Sequence, residues 1–147
     1  FLNGEIDEVY GKVLTSLWNI DVEDNAFFQL KSNNIIVQCH VSWTNWKNIF
    51  SYEIYFQNGY IIIDGLGGSY GIETLEIGIR NMDGGKPDIK KYQYKEDNSW
   101  KLEWENFKNA IEQNTPLYGT GVDGFKANQI IDSIYSSSKL NKPVSVK

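Results

Sequence analysis

Phe50-Ser51-Tyr52-Glu53-Ile54-Tyr55-Phe56-Gln57-Asn58-Gly59-Tyr60-Ile61-Ile62-Ile63-Asp64 is the stretch on which the reading of the fold turns. Two runs of apolar, β-branched and aromatic residues flank Asn58-Gly59, a dipeptide that supplies the positive φ angles of a two-residue hairpin turn. The stretch therefore reads as a β-hairpin. Its first arm puts Phe50, Tyr52, Ile54 and Phe56 on one face and Tyr55 on the other. The same grammar extends upstream. Ala26 to Lys31 and Ile35 to Trp43 are joined through Asn33-Asn34 as a second hairpin, and Val9 to Trp18 alternates with a period of two. Downstream, Ile72 to Ile79 and Ile89 to Tyr94 form two further strands around the loop Asp83-Gly84-Gly85-Lys86-Pro87.

The period then changes. Trp100, Trp104, Phe107 and Ile111 fall on one stripe of an amphipathic helix, with Asp97 or Ser99 as its cap. A second helix is predicted from about Asp123 to Ser138, with Thr120 and Asp123 at capping-box spacing. The expected fold class is α+β: an open-faced, mostly antiparallel sheet with two C-terminal helices packed on one face. Ile35, Val37, Cys39, Val41 and Trp43 share a strand face, so both sides of the sheet carry apolar residues. Two helices cover only one side. The other side calls for a partner, and a homo-oligomer through the β-sheet face is expected.

The 147 residues fit one domain, and 41% hydrophobic with 22% charged residues is ordinary for a globular chain. The net charge of −5, with no basic run beyond Lys90-Lys91, argues against nucleic acid. No apolar run is long enough for a membrane helix. A single cysteine, Cys39, excludes an internal disulfide and a cysteine metal cluster, and fits a reducing, cytoplasmic setting. The start has no initiator methionine, which leads to the expectation of a longer parent protein.

Several groups invite a chemical reading. Asp64-Gly65-Leu66-Gly67-Gly68-Ser69-Tyr70-Gly71 approaches a dinucleotide fingerprint, but its third glycine would fall at Tyr70 and a strand follows where a helix is needed. A connection, or a loop bordering a substrate cleft, is the better reading. Cys39 and His40 are strand neighbours and point to opposite faces, so they do not act together. Glu23-Asp24 reads as a turn with solvated or capping carboxylates. In Ser42-Trp43-Thr44-Asn45-Trp46-Lys47, indole faces suit sugar C–H groups and Lys47 suits a phosphate, although edge tryptophans closing the core would give the same pattern. Trp43, Trp46, Lys47 and Tyr70 are the candidate substrate-binding residues. No catalytic, cofactor-binding or metal-ligating residue is assigned. Core packing accounts for Trp100 and Trp104.

Val22-Glu23-Asp24-Asn25-Ala26, Ser42-Trp43, Glu53 to Gly59, Gly65 to Gly71, Ser99-Trp100 with Phe107, and Asp123-Gly124…Ile134-Tyr135-Ser136…Lys142-Pro143-Val144 recur in an order that resembles one family. It is the C-terminal domain of the glucose–fructose oxidoreductase/inositol dehydrogenase/rhizopine-catabolism (Gfo/Idh/MocA) family, over nearly the whole chain. The resemblance implies that residues 1–147 are the substrate and oligomerisation domain, with an N-terminal Rossmann domain outside this chain. It implies NAD or NADP for the intact protein and hydride transfer to or from a sugar, cyclitol or nucleotide-sugar. The family's catalytic Glu-Lys-Pro motif and acid/base histidine have no counterpart here. Phe1 to Glu5 resembles the end of the helix bearing that histidine, so this chain alone is expected to be inactive. The rivals are a free-standing carbohydrate- or ligand-binding module and a small stand-alone enzyme; the latter lacks a recognisable acid/base pair.

Overall fold

The computed structural model describes residues 5–146, so the expectation for Phe1 to Gly4 lies outside the described residues. The chain divides into two compact units, one formed by residues up to Trp46 and from Tyr118 onward, the other by Lys47–Leu117.

The first unit is built on β1 (Glu8–Leu14), β2 (Asn25–Ser32) and β3 (Ile35–Ser42), paired antiparallel. The β2–β3 hairpin turns at Asn33-Asn34 as expected, with Asn33 at φ 52°, a conformation asparagine tolerates. Helix α2 (Gly121–Leu140) starts at a complete capping box. The Asp123 amide donates to the Thr120 hydroxyl at 3.3 Å, and the Thr120 amide donates to the Asp123 carboxylate at 2.8 Å. After α2, a short strand that sequence periodicity does not reveal, β8 (Val144–Ser145), pairs with Glu8 and Val9 and completes the order β3-β2-β1-β8.

Beyond the reach of β8, the open edge of β1 is closed by the helix. Gly11 N–H donates to Ser137 Oγ at 3.0 Å and Val13 N–H to Ser138 Oγ at 3.1 Å. Two serine hydroxyls thus take strand donors that another strand would otherwise take. Ser137 is fully buried, and its own hydroxyl donates a hydrogen bond to the Lys142 carbonyl at 2.7 Å. The approach is close because position 11 is glycine: a Cβ there would lie 3.0 Å from Ile134 Cγ2. Val9 and Ile134 are the buried apolar side chains of the described residues.

The second unit holds β4 (Ser51–Phe56), β5 (Gly59–Asp64), β6 (Glu73–Ile79) and β7 (Asp88–Tyr94), paired antiparallel in sequence order. The hairpin read from Phe50 to Asp64 is present, but its turn is Gln57-Asn58, and neither Asn58 nor Gly59 has a positive φ. Gly59 is needed for a different reason. It opens β5 opposite Ile79, where a Cβ would come within 2.2 Å of the Gly78 carbonyl oxygen. The ring of Tyr60 in turn lies over Gly78 and reaches Glu76 Oε1 at 3.0 Å.

Register places Tyr52, Ile63, Leu75 and Tyr92 in one row across this sheet, with Ile54, Ile61, Ile77 and Lys90 in the next and Phe56, Gly59, Ile79 and Asp88 beyond it. The opposite face carries Glu53, Ile62, Glu76 and Lys91, with Lys91 Nζ 3.5 Å from Glu76. One face of the second sheet is therefore largely apolar, with Lys90 and Asp88 at its β7 edge, and the other is mixed.

Helix α1 (Ser99–Gln113) follows β7 with Asn98 at its N-cap and no side-chain cap bond, so neither Asp97 nor Ser99 is the cap that the sequence suggested. The Asp97 carboxylate, just ahead of it, accepts from the Ser99 amide at 3.0 Å. No residue of α1 is buried, and Trp100 is 81% exposed. The α+β class, the two helices and the antiparallel pairing stand as read. The differences are the division into two four-stranded sheets and the exposed stripe of α1. Periodicity specifies which residues share a helix face, not what covers that face.

Candidate functional site

The loop between β1 and β2, residues 15–24, is folded around one carboxylate. Asp24 is 2% exposed. Its Oδ1 accepts from the Ser16 amide at 2.9 Å and the Ser16 hydroxyl at 3.1 Å, and its Oδ2 from the amides of Leu17 at 2.8 Å and Trp18 at 3.0 Å. The Asn25 side-chain amide adds a further donor at 3.0 Å. Burial alone would raise this carboxyl, but the amides of Trp18, Leu17 and Ser16 and the Asn25 side chain outweigh it and hold it well below the usual carboxylate range.

Asn25 extends the frame to the segment after β3. Its Nδ2 donates to Thr44 Oγ1 at 3.1 Å, and its Oδ1 lies 3.3 Å from His40 Nε2. His40 stacks on Phe27 with ring centroids 4.2 Å apart. Cys39, on the opposite face, is a free thiol that burial pushes up. The neighbouring carboxylate, Glu23, accepts from the Tyr135 hydroxyl on α2, which lowers its pKa. The expectation for Glu23-Asp24 was a turn with capping or solvated carboxylates; Asp24 caps, yet it is buried.

On this frame stand three indoles. Trp18 Nε1–H donates to the Trp43 carbonyl at 3.2 Å, and the Trp18 and Trp46 rings lie 5.7 Å apart at 58°. Trp43 is 72% exposed, Trp46 80% and Trp18 43%, so these side chains do not close the core. Trp46 has φ 53°, a strained backbone for a bulky residue. Sequence reasoning picked out Trp43 and Trp46, and the structure places both in the first unit. Trp18 was counted into the alternation of the first strand. That strand stops at Leu14, and the density of Asp, Glu and Asn from Asn19 to Asn25 was the available sign that Trp18 belongs to a loop.

Lys47 and Tyr70 belong to the second unit. Lys47 is exposed, and Tyr70 lies in the glycine loop before β6. Gly65, Gly67, Gly68 and Gly71 all have positive φ. Most amides of this loop are engaged by the chain itself: Gly67 N–H donates to the Glu73 carboxylate at 2.8 Å, Ser69 to the Gly67 carbonyl at 2.6 Å and Tyr70 to the Leu66 carbonyl at 3.3 Å. With those donors occupied and a carboxylate alongside, the loop is a poor cradle for a pyrophosphate. Under it lies an apolar hollow of about 300 Å³ lined by Phe50, Ile63, Leu66, Leu75 and Tyr94, with Glu73 and Thr74 at its polar side. Among the described residues, no group of three or more His, Cys, Asp or Glu side chains is placed to hold a metal ion, and no helix is long and apolar enough to cross a membrane.

A family model described as "Oxidoreductase family, C-terminal alpha/beta domain" matches residues 3–146. No curated protein matches the chain in sequence. Solved structures share the fold at low identity. The oxidoreductase domain protein from Kribbella flavida superposes with a TM-score of 0.80 at 13% identity, covering 98% of this chain and 45% of its own. The aldose-aldose oxidoreductase from Caulobacter crescentus, complexed with glycerol, gives 0.77 at 19%, covering 97% and 42%. The WlbA dehydrogenase from Bordetella pertussis, in complex with NADH and UDP-GlcNAcA, gives 0.70 at 17%, covering 99% and 40%. The chain thus spans less than half the length of these proteins.

Proposed function

The chain belongs to the Gfo/Idh/MocA oxidoreductase family, as its C-terminal alpha/beta domain, and we propose that it walls the substrate pocket and carries the subunit interface of an NAD(P)-dependent oxidoreductase acting on a sugar, cyclitol or nucleotide-sugar. The observation that carries this reading is the exposed tryptophan cluster on its buried polar frame. Indoles held in solvent by a rigid support suit the C–H faces of a sugar ring. Trp43, Trp46, Lys47 and Tyr70 are the proposed substrate contacts. The nicotinamide cofactor, NAD or NADP, belongs to an N-terminal Rossmann domain outside this chain, since the glycine loop leads into a strand and the amides of Gly65, Gly67, Ser69, Tyr70 and Gly71 already donate within the chain. Hydride transfer needs that domain to orient the cofactor against the substrate, so residues 1–147 alone are inactive. The subunit interface is the apolar face of the second sheet, in a homo-oligomer. A cytoplasmic location accompanies the reading, given the single free thiol.

The test is kinetic and uses the intact protein, from a gene long enough to encode a preceding nucleotide-binding domain. Alanine at Trp43 or Trp46 is expected to raise KM for the sugar by about tenfold, the worth of one good aromatic contact, and to leave cofactor affinity unchanged. Lys47→Ala and Tyr70→Ala act in the same direction. Wild-type kinetics in all four variants would place the pocket elsewhere. A gene with no room for a second domain, together with sugar binding by this chain alone, would favour a free-standing binding module.

A further inference from the structure

Trp18 is the third indole of the cluster and the one to which the reading above gives no role. Its placement is costly to build and gains little from burial. Three consecutive backbone amides, ending with that of Trp18 itself, converge on the buried Asp24 carboxylate. Asn25 ties the same carboxylate to Thr44, two residues before Trp46. The two loops are thus locked to each other from behind, while the indoles they carry meet in front at 5.7 Å. A pair formed for stability would be buried, because the gain scales with apolar area removed from water. Here Trp46 stays 80% exposed and adopts a left-handed backbone to stand where it does. Strain and a multiply hydrogen-bonded support beneath an exposed aromatic pair are features of a contact surface that must be preset.

We propose that Trp18 contacts the substrate, forming with Trp46 a two-indole wall that selects a pyranose or cyclitol ring presenting a continuous C–H face, and that Asp24 is the positioning residue that holds it there. The proposal rests on the reading that Trp46 faces the substrate. The tilt of 58° between the rings lets one indole lie along the C–H face while the other meets the ring edge. The Trp18 N–H is already committed to the Trp43 carbonyl. Its contribution is therefore the apolar ring face, which favours C–H groups over hydroxyls.

The experiment uses the intact protein with 5-fluorotryptophan at its indoles, the signals assigned by single Trp→Phe substitutions, and NADH bound. The probes are D-glucose, myo-inositol and UDP-N-acetylglucosamine. The expected result is that the Trp18 and Trp46 signals move together with at least one probe, and that Trp18→Ala weakens that probe's binding about tenfold while Trp18→Phe weakens it less. Asp24→Asn is expected to move the Trp18 signal before any probe is added, to leave those of Trp100 and Trp104 in place, and to weaken the same probe. A moving Trp46 with a fixed Trp18 overturns the role of Trp18 and leaves the pocket reading intact. Fixed signals at both positions with all three probes overturn both. An unmoved Trp18 signal in Asp24→Asn overturns the positioning role. If that variant does not fold, Trp18→Ala, which keeps the backbone donor to Asp24, still decides the substrate contact, and Asn25→Ala, which removes one donor to Asp24, takes its place: a moved Trp18 signal is expected, and an unmoved one overturns the positioning role.

Discussion

Asp24 remains charged inside the protein because its solvation shell is rebuilt from the chain: three backbone N–H groups, the Ser16 hydroxyl and the Asn25 amide. Folding therefore favours its deprotonated form. With the folded-state carboxyl held below the ordinary aspartate range, the stability it contributes is complete at neutral pH. That contribution is lost progressively once pH falls below about 4, where the unfolded chain takes up the proton more readily. Asp24→Asn keeps the shape and loses the charge, and is expected to lower the thermal midpoint at pH 7 by roughly 5 °C. The gap from the parent should hold down to about pH 5 and narrow below about pH 4, as followed by circular dichroism. A gap unchanged at acid pH would mean that the charge is not what the loop uses. In the sequence, Glu23 and Asp24 look interchangeable. Their separate fates depend on Tyr135, which meets Glu23 from 112 positions away, and on a loop whose path no periodicity describes.

Among the elements, glycines and serines decide where strands and helix approach. Gly59→Ala is expected to damage the β5–β6 pairing more than Gly78→Ala. The first forces a Cβ to within 2.2 Å of a backbone carbonyl, whereas the second meets a tyrosine ring that can swing aside. Urea unfolding of the two variants checks the order. On the other sheet, Ser137→Ala leaves the Gly11 amide and the Lys142 carbonyl without their partner in a dry position, and should cost about 1–3 kcal/mol. An unchanged midpoint would mean that water replaces the hydroxyl. The strands and both helices were legible because alternation and the i, i+4, i+7 stripe are local properties. Gly59 shows the limit: Asn58-Gly59 announced a hairpin correctly, but the glycine answers to β6 rather than to the turn. Likewise Val144-Ser145 is too short to show a period, and only its pairing with Val9 makes it a strand. Trp100 to Ile111 gave the helix, while the partner of its stripe lies in no local pattern.

At the scale of the whole molecule, the described core is small and the apolar surface large. Tyr52, Phe56, Tyr92 and Tyr94 are all exposed on one face of the second sheet. A two-fold pairing of such faces, burying about 1,600 Å² in total, would offset the freedom lost on association. Light scattering of the chain is expected to give a dimer, with Ile54→Glu or Tyr92→Glu returning it to 16.9 kDa. A parent that is already monomeric would rule out this face as the interface. The order of the two units along the chain has a consequence of its own. Residues 47–117 are contiguous and lie between the two segments of the first unit. During synthesis the whole of the second unit leaves the ribosome before α2 and β8 exist, so its hairpins can form while β1 still lacks the helix that seals its edge. The first unit, with its tryptophan cluster, is the last part of this chain to mature, and nascent chains stalled short of Ser137 would present β1 as an open template for stray pairing.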